Sequence, residues 1–488
     1  MTHGEPRRVL RQLAALRLNL LGVIFVIIGG VLLLPLLGLP FFWDERWIAP
    51  AFLAPSVTLI GLGAVFVRIT RSRSKQSPGL SVSDGARVVV LSWLTAVVAS
   101  TVPFLLNGYL DFVPALFETT SAWTTTGLSV VDVEAAPRIL LLWRSIMQLA
   151  GGAGFAIIMI SVVSTPLGIG VSLAEGRGDQ LVPNVIQSAK LVVRLYLSYA
   201  VAGVVAYVLA GMPVFDAVNH SFAAVSTGGF STRADSIGAF ASPAIEWVSV
   251  PLMLLGNLNF LIAYALVRGR LRTVFRSAEM RTFLTLWVLL FVSIMTLSVR
   301  SGVVLRIAVF EATTALTTTG FSVLDYGGWN DVVYTIFIVI MLVGGGSGST
   351  AGGIKQLRIY ILFRAAVDQV RRTLLPRRAV TIRQFYHADQ VVTLNDSVAG
   401  KTGVFAVSYA AIVAMGVLVM TAHGVPFLDA VFEFASTVGT VGLSIGVTAV
   451  DLPPAVLVSQ VVGMLLGRLE VFMLFAGLFA ILRVAGRR

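Results

Sequence analysis

The chain has 488 residues, of which 57% are hydrophobic and 12% charged, with a mean hydropathy of +0.89 and a net charge of +12. Soluble domains carry roughly 25% charged residues, so this much apolar surface must face lipid, and a soluble globular fold is excluded. The sequence contains no cysteine, which excludes disulfides, thiolate metal sites and cysteine nucleophiles.

The first apolar run, Asn19–Leu39, follows a charged N-terminal stretch. It is longer than the ~7–15 residues of a signal-peptide core and many more runs follow, so it reads as a first transmembrane helix. The apolar runs predict ten spans, over 18–39, 51–69, 88–107, 138–163, 190–211, 243–267, 281–299, 331–366, 398–421 and 455–484. The eighth is too long and is broken by glycines, so it counts as one interrupted span. Alternating these from a cytoplasmic N-terminus puts 4 Lys and Arg in the N-terminal stretch, then 5, 3, 5, 9 and 3 in segments 68–87, 164–194, 268–281, 355–401 and 483–488, which is 29 of 36. Positive loops resist translocation, so both termini are predicted to be cytoplasmic, and the net charge marks orientation rather than nucleic-acid binding. Of the 24 acidic residues, 15 fall on the opposite side or at its mouth. They either focus cations there or simply fill the loops that positive residues avoid.

After two N-terminal spans, a pattern of span, short segment, span occurs four times. The short segments are Phe117–Val130 (FETTSAWTTTGLSV), Asn219–Thr232 (NHSFAAVSTGGFST), Phe310–Val323 (FEATTALTTTGFSV) and Phe432–Ile445 (FEFASTVGTVGLSI). They align without a gap on Gly127, Gly229, Gly320 and Gly442, with Ser129, Ser231, Ser322 and Ser444 two residues later. Glu118, His220, Glu311 and Glu433 stand nine residues before each glycine. Such a repeat is a signal of architecture. In each segment the first part predicts a short helix that cannot cross a membrane, and the second is rich in Thr, Gly and Ser. Non-helical backbone at membrane depth is tolerated only where it is buried in protein or lines water. Four such strands around an axis would aim carbonyls at the centre, where they can replace the hydration shell of a monovalent cation. Glycine supplies φ values closed to other residues. Threonine hydroxyls add hard oxygen ligands, which suit alkali cations. The fourth copy contains Thr440-Val441-Gly442, the start of the TVGYG loop of potassium channels, but Ser444 replaces its second glycine. The predicted filter comprises Thr125, Thr126, Gly127 and Leu128; Thr227, Gly228, Gly229 and Phe230; Thr318, Thr319, Gly320 and Phe321; and Thr440, Val441, Gly442 and Leu443. Potassium is expected at Thr126, Gly127, Gly228, Gly229, Thr319, Gly320, Val441 and Gly442.

These four segments resemble the pore loops of the Trk/Ktr/HKT potassium-transporter superfamily. The run Gly344–Lys355 (GGGSGSTAGGIK) is similar to the glycine-rich break in the third repeat of its TrkH-type pore subunits. Met464–Leu474 (MLLGRLEVFML) resembles their final, arginine-bearing pore helix, and the two extra N-terminal spans favour the TrkH form over the shorter Ktr form. The resemblance covers residues 88–488 well; residues 1–87 match in span count only. It implies a homodimer of pore subunits in the plasma membrane (the bacterial inner membrane) and a TrkA-like cytosolic regulatory subunit beneath it. Any nucleotide is then expected on that partner, with K⁺ as the transported ion and no bound cofactor.

Several residues carry two readings. Arg468 is either a positive barrier in the pathway or one half of a structural ion pair, with Glu470 the nearest acid in sequence; two residues apart on a helix face different ways, which argues against the pair. The glycines Gly344, Gly345, Gly346, Gly348, Gly352 and Gly353 form either a movable gate or a fixed kink. Lys355 is a barrier or an inner-leaflet anchor. Glu118, Glu311 and Glu433 are expected near helix starts, offsetting the helix dipole or packing rather than binding ions. His220 is expected to pack or hydrogen-bond. The basic loop 355–383 either docks a regulator or marks topology and binds anionic lipid. The His residues lack metal spacing and the glycine-rich run lacks a Walker A ending, so no enzyme is predicted.

The sequence therefore predicts an all-α polytopic membrane protein: two N-terminal transmembrane helices (1–87), then four pseudo-symmetric helix–pore loop–helix repeats around a central pore, over 88–189, 190–280, 281–397 (with the interrupted helix and basic loop) and 398–488. The predicted function is potential-driven potassium uptake, with a proton- or sodium-coupled carrier, a membrane-embedded lipid enzyme and a non-transporting scaffold as rivals.

Overall fold

The computed structural model describes residues 5–74, 82–154, 185–297, 304–324, 326, 329, 331–374, 384–387, 390–469 and 471–485. The chain is an all-α polytopic membrane protein. In lipid every backbone N–H and C=O must be satisfied within the chain, so the apolar runs fold as helices. Helices α1 (Glu5–Leu33) and α2 (Ala49–Ser74) come first. Then follow α3 (Val82–Leu106), α4 (Phe112–Trp123) and α5 (Arg138–Leu149); α6 (Val185–Leu209), α7 (Val214–Val225), α8 (Pro243–Asn257), α9 (Phe260–Val267) and α10 (Leu271–Arg276). The third group is α11 (Ala278–Leu297), α12 (Leu305–Leu316), α13 (Asp331–Val343) and α14 (Gln356–Leu374), followed by a hairpin of β1 (Gln384–His387) and β2 (Gln390–Thr393). The last is α15 (Asp396–Ala422), α16 (Phe427–Gly439), α17 (Pro454–Arg468) and α18 (Val471–Ala485).

Among the described residues, six helical stretches are long and apolar enough to cross a membrane, or seven if the bent pair α8–α9 counts as one. Ten spans were expected, and the difference is instructive. The sequence points to one interrupted helix, the eighth span, and that helix is indeed broken between α13 and α14. The second helices of the other copies are also irregular at the corresponding place. Helix α5 passes into a π-helical turn at Ala150–Gly154, α8 and α9 meet at 118°, and α17 stops at Arg468. Gly151 lies within that π turn and Gly256 and Gly467 stand one residue before the ends of α8 and α17; a Cβ there would come within 1.9, 2.6 and 2.1 Å of the carbonyl oxygens of Trp123, Val225 and Val438 at the ends of the short helices. Residues 155–163 of the expected fourth span lie outside the described residues.

The short helices α4, α7, α12 and α16 are embedded in the interior, and the apolar clusters form around them. Phe310 packs with α6–α8 residues and Phe432 with α11–α13 residues, so these two short helices are wedged against the preceding copy. Helices α1 and α2 lie together because glycines let their backbones meet: a Cβ on Gly63 would sit 2.4 Å from the Gly22 carbonyl oxygen. The expected basic loop 355–383 is mostly helix α14; its remainder, 375–383, lies outside the described residues. The β-hairpin was not among the expected elements; its Phe385 is buried with Ala278 and Ile361.

Helix α15 packs on α16 through Gly416, where a Cβ would lie 1.8 Å from the Phe434 ring. Overpacking of this kind costs about 1–3 kcal/mol. Gly416→Ala is expected to lower the thermal unfolding midpoint in detergent by about a few degrees, whereas Gly400→Ala, on the same helix with open space beside it, leaves it unchanged. Equal midpoints would contradict this packing.

Candidate functional site

The site begins where the four short helices end. The N–H groups of Thr126, Gly228, Thr319 and Val441 donate to the carbonyls of Ser121, Ala223, Thr314 and Ser436, five residues back, at 2.8–3.0 Å. The preceding N–H groups, of Thr125, Thr227, Thr318 and Thr440, donate three residues back. This pair of bonds is the Schellman ending of a helix, which needs a left-handed residue. That residue is usually glycine. Here it is threonine in all four copies, at φ +55°, +52°, +55° and +49°. A β-branched side chain is disfavoured there by roughly 1–2 kcal/mol, and such strain persists only where the surroundings impose it. Two residues later Gly127, Gly229, Gly320 and Gly442 return to positive φ, at +94°, +71°, +83° and +93°. Backbone that alternates the sign of φ carries successive carbonyls on one side of the strand.

The four strands close on one another. A Cβ on Gly127 would lie 2.3 Å from the Gly228 oxygen, on Gly229 2.0 Å from the Thr319 oxygen, on Gly320 2.0 Å from the Val441 oxygen, and on Gly442 2.3 Å from the Thr126 oxygen. Each glycine thus presses on the carbonyl before the glycine of the next copy, and the fourth returns to the first. Glycine is required twice over, by φ and by this contact. The side chains that follow, Leu128, Phe230, Phe321 and Leu443, turn away into the apolar clusters and anchor each strand from behind. All sixteen residues of the predicted filter are brought together here. On one side the ring opens into a vestibule of about 830 Å³, lined by the four glycines and the serines that follow them.

Behind the ring, the seventh residue of each short helix holds the returning chain. Glu118 accepts from Ser129 Oγ and Val130 N, both at 3.0 Å. Glu433 accepts from Ser444 Oγ (2.6 Å), Ile445 N (2.9 Å) and Thr448 Oγ1 (2.8 Å). Glu311 accepts from Val323 N (3.1 Å) and Tyr326 OH (2.5 Å). His220 meets Ser231 Oγ at 2.9 Å through Nε2 and the Asp216 carbonyl at 2.8 Å through Nδ1, the hydrogen-bonding role expected of it. The carboxylates are therefore not near helix starts, as the sequence suggested. They sit two turns in, beyond the reach of the dipole's end charge, and serve as anchors for N–H and O–H donors that would otherwise be buried unpaired.

The sequence reading missed two residues on α5. Arg144, 2% exposed, donates through Nε to Glu118 at 2.6 Å, through Nη2 to Ser129 Oγ at 2.8 Å and through Nη1 to the Ser231 carbonyl at 3.2 Å. Gln148 donates to the Gly228 carbonyl at 2.6 Å and accepts from Phe230 N at 3.3 Å. A charge within an apolar run was the available signal for Arg144; Gln148 offered none.

On the side away from the vestibule, the glycine-rich segment 344–355 lies directly against the left-handed threonines. Gly352 N donates to Thr318 Oγ1 at 2.8 Å, the hydroxyls of Thr350 and Thr227 are 3.1 Å apart, and a Cβ on Gly352 would lie 1.9 Å from Thr440 Oγ1. Gly344, Gly348 and Gly353 adopt positive φ, as does Lys355 at +85°. The segment is tied down along its length. Gly346 N donates to Asn257 at 2.9 Å, Asn259 donates to the Ser347 carbonyl at 2.6 Å, Gln356 donates to the Gly344 carbonyl at 3.1 Å, and Ser347 N donates to Glu279. A Cβ on Gly345 would meet Asn257 Oδ1 at 2.3 Å. Lys355 Nζ donates to the Ala351 carbonyl. Arg468 donates to the Thr350 carbonyl and, at 2.8 Å, to the carbonyls of Gly151 and Gly152 in the π turn after α5. Its guanidinium thus bridges the segment to the first copy. Glu470, the weighed ion-pair partner, lies outside the described residues.

Comparison with known proteins follows the same lines. The family model TrkH, described as a cation transport protein, matches residues 51–482. The potassium uptake protein TrkH of Halomonas elongata is 31% identical over 93% of this chain and 96% of its own length. The potassium uptake protein TrkG of Escherichia coli is 30% identical over 92% of this chain and 95% of its own length. An uncharacterized cation transporter of Methanocaldococcus jannaschii is 28% identical over 95% of both chains. The crystal structure of the potassium transporter TrkH from Vibrio parahaemolyticus matches with a TM-score of 0.81 at 27% identity, over 94% of this chain and 97% of that one. The relatives are transporters, not enzymes. With its match extending over most of its length, the chain belongs to the TrkH family of cation transport proteins.

Proposed function

We propose that this chain takes up potassium across the plasma membrane, the bacterial inner membrane, through the ring of four strands, driven by the membrane potential. The observation that carries the reading is the closed ring itself: four left-handed threonines and four glycines, each glycine against a carbonyl of the next copy. Such a ring offers carbonyl and hydroxyl oxygens around one axis, the ligand set that replaces the hydration shell of K⁺. The ions bind at Thr126, Gly127, Gly228, Gly229, Thr319, Gly320, Val441 and Gly442. An inside-negative potential supplies about 2.3 kcal/mol per charge per 100 mV, enough to accumulate a cation through a passive path. Both termini face the cytoplasm, which puts the vestibule outside and the segment 344–355 on the inner side. That segment is the gate, held shut by Arg468, and Lys355 adds a second positive charge beside it. A coupled carrier would use titratable groups in the path, whereas the ring is built from Thr, Gly and Val. The four repeats, with the boundaries read from the sequence, form one pore; two copies of the chain form a homodimer. The basic cytoplasmic face, including Arg371 and Arg372 in the last turn of α14, docks a TrkA-like regulatory subunit, which carries any nucleotide.

Two experiments test this. In proteoliposomes with an imposed inside-negative potential, the protein is expected to take up K⁺ and Rb⁺ in preference to Na⁺ and Li⁺. Gly442→Ser forces a side chain onto the Thr126 carbonyl and is expected to lower the K⁺/Na⁺ ratio by about tenfold or more. Flux that needs a proton or sodium gradient, or an unchanged ratio in the variant, would sink the filter. For the gate, Arg468→Ala removes three hydrogen bonds to backbone carbonyls and is expected to raise basal K⁺ flux by about tenfold or more, since one charged hydrogen bond is worth about 1.5–3 kcal/mol. Unchanged or lower flux would rule out Arg468 as a latch.

A further inference from the structure

The four copies are not equivalent behind the ring. The residue before the ring glycine is Thr126, Thr319 and Val441 in three copies but Gly228 in the second. In the first and third the threonine is locked in place, its hydroxyl 2.7 Å from Thr124 Oγ1 or 2.8 Å from Thr317 Oγ1. Gly228 has nothing to lock, and it is followed directly by Gly229, giving the second strand the greatest backbone freedom of the four.

The space that a side chain on residue 228 would fill is occupied from another helix. A Cβ on Gly228 would lie 2.4 Å from Gln148 Cδ and 2.7 Å from both of its amide heteroatoms. The same amide donates to the Gly228 carbonyl at 2.6 Å and accepts from Phe230 N at 3.3 Å, so it brackets Gly229. Gln148 is fully buried. Aligned on Gly151, Gly256, Gly344 and Gly467, the second helices carry Gln148, Met253, Met341 and Met464 three residues earlier. All three methionines are fully buried, and each shares an apolar cluster with the strand of the next copy: Met253 with Phe321, Met341 with Val441, Met464 with Leu128. In this alignment three strands carry a residue with a side chain before the ring glycine and have methionine at this position of the preceding second helix, whereas the second strand carries glycine and has glutamine. Neighbouring positions change in concert. Asn219 replaces the phenylalanine of the other copies, and Ser145, aligned with Val250, Ile338 and Val461, donates to it at 2.6 Å.

We propose that Gln148 is a positioning residue for ion selectivity: it supplies, from the first copy, the side chain that the second strand lacks, and fixes the carbonyl of Gly228 in the ring. The inference rests on the reading of the ring as the ion path. The predicted signature is reciprocal. Gln148→Met leaves the Gly228 carbonyl without its donor and the Phe230 N–H without its acceptor. Gly228→Thr drives a Cβ into the glutamine amide. Together they restore the methionine and threonine that the alignment puts at these positions for two other strands, with Ser226 aligned to hold the new hydroxyl as Thr124 holds Thr126.

The test measures the K⁺/Na⁺ flux ratio in proteoliposomes for wild type, both single variants and the double variant, with the thermal unfolding midpoint of each. Each single variant is expected to lower the ratio by about tenfold, the scale of one buried hydrogen bond, and the double variant to return it to within about threefold of wild type. Single variants that keep the wild-type ratio, or a double variant no better than the worse single one, would overturn the proposal. If a single variant does not fold, recovery of folded, selective protein in the double variant supports the pairing and its failure to fold refutes it. A wild type without K⁺ preference would instead defeat the reading of the ring.

Discussion

The structure depends on one steric constraint: four glycine α-carbons must lie against four carbonyl oxygens in a closed circuit. No other residue fits, because a Cβ would fall within 2.0–2.3 Å of oxygen. Every surrounding element serves that contact. The short helices end in left-handed threonines because the chain must reverse at the ring's deep end. The second helices carry glycines where they cross those ends, because a Cβ there would meet a carbonyl oxygen within 1.9–2.6 Å.

A ring of this kind is polar backbone at membrane depth, so its support has to satisfy polar groups without water. The first, third and fourth copies use a glutamate for this and the second a histidine, each receiving the N–H or O–H groups of the returning strand. Only the first glutamate has a cationic partner within bonding distance among the described ion pairs, Arg144 at 2.6 Å. That arginine also binds the second copy's strand and stacks 4.0 Å over Phe230. The boundary between the first and second copies is thus built from charge and amides, while that between the third and fourth is aromatic, with Tyr334 stacked on Phe432 at 4.6 Å. A fourfold arrangement is kept by two different chemistries.

The glycine-rich segment is compatible with the same logic. Its backbone lies against the threonine hydroxyls of the third and fourth copies, its Thr350 hydroxyl meets that of the second, and Arg468 ties it to the first. A guanidinium in low dielectric needs several acceptors, and the breaks in the helices provide them: the π turn after α5 exposes two carbonyls, and the segment exposes a third. The irregular backbone at these places thus supplies the oxygens that hold Arg468 and the segment together.

The sequence by itself determined the membrane class, the fourfold recurrence, the ring residues and the break at Gly344–Lys355. These are local signals: apolar length, a gapless alignment on four glycines, and a run of residues that cannot form a helix. Tertiary structure decided the rest. That Glu118, Glu311 and Glu433 hold the returning strand rather than a helix start, and that Arg144 and Gln148 of one copy support the strand of the next, depend on contacts between residues 11 to 87 positions apart. Periodicity and composition report which face of a segment is apolar. They do not report which neighbour a buried polar group will meet, because that is fixed only when the four copies close on one another.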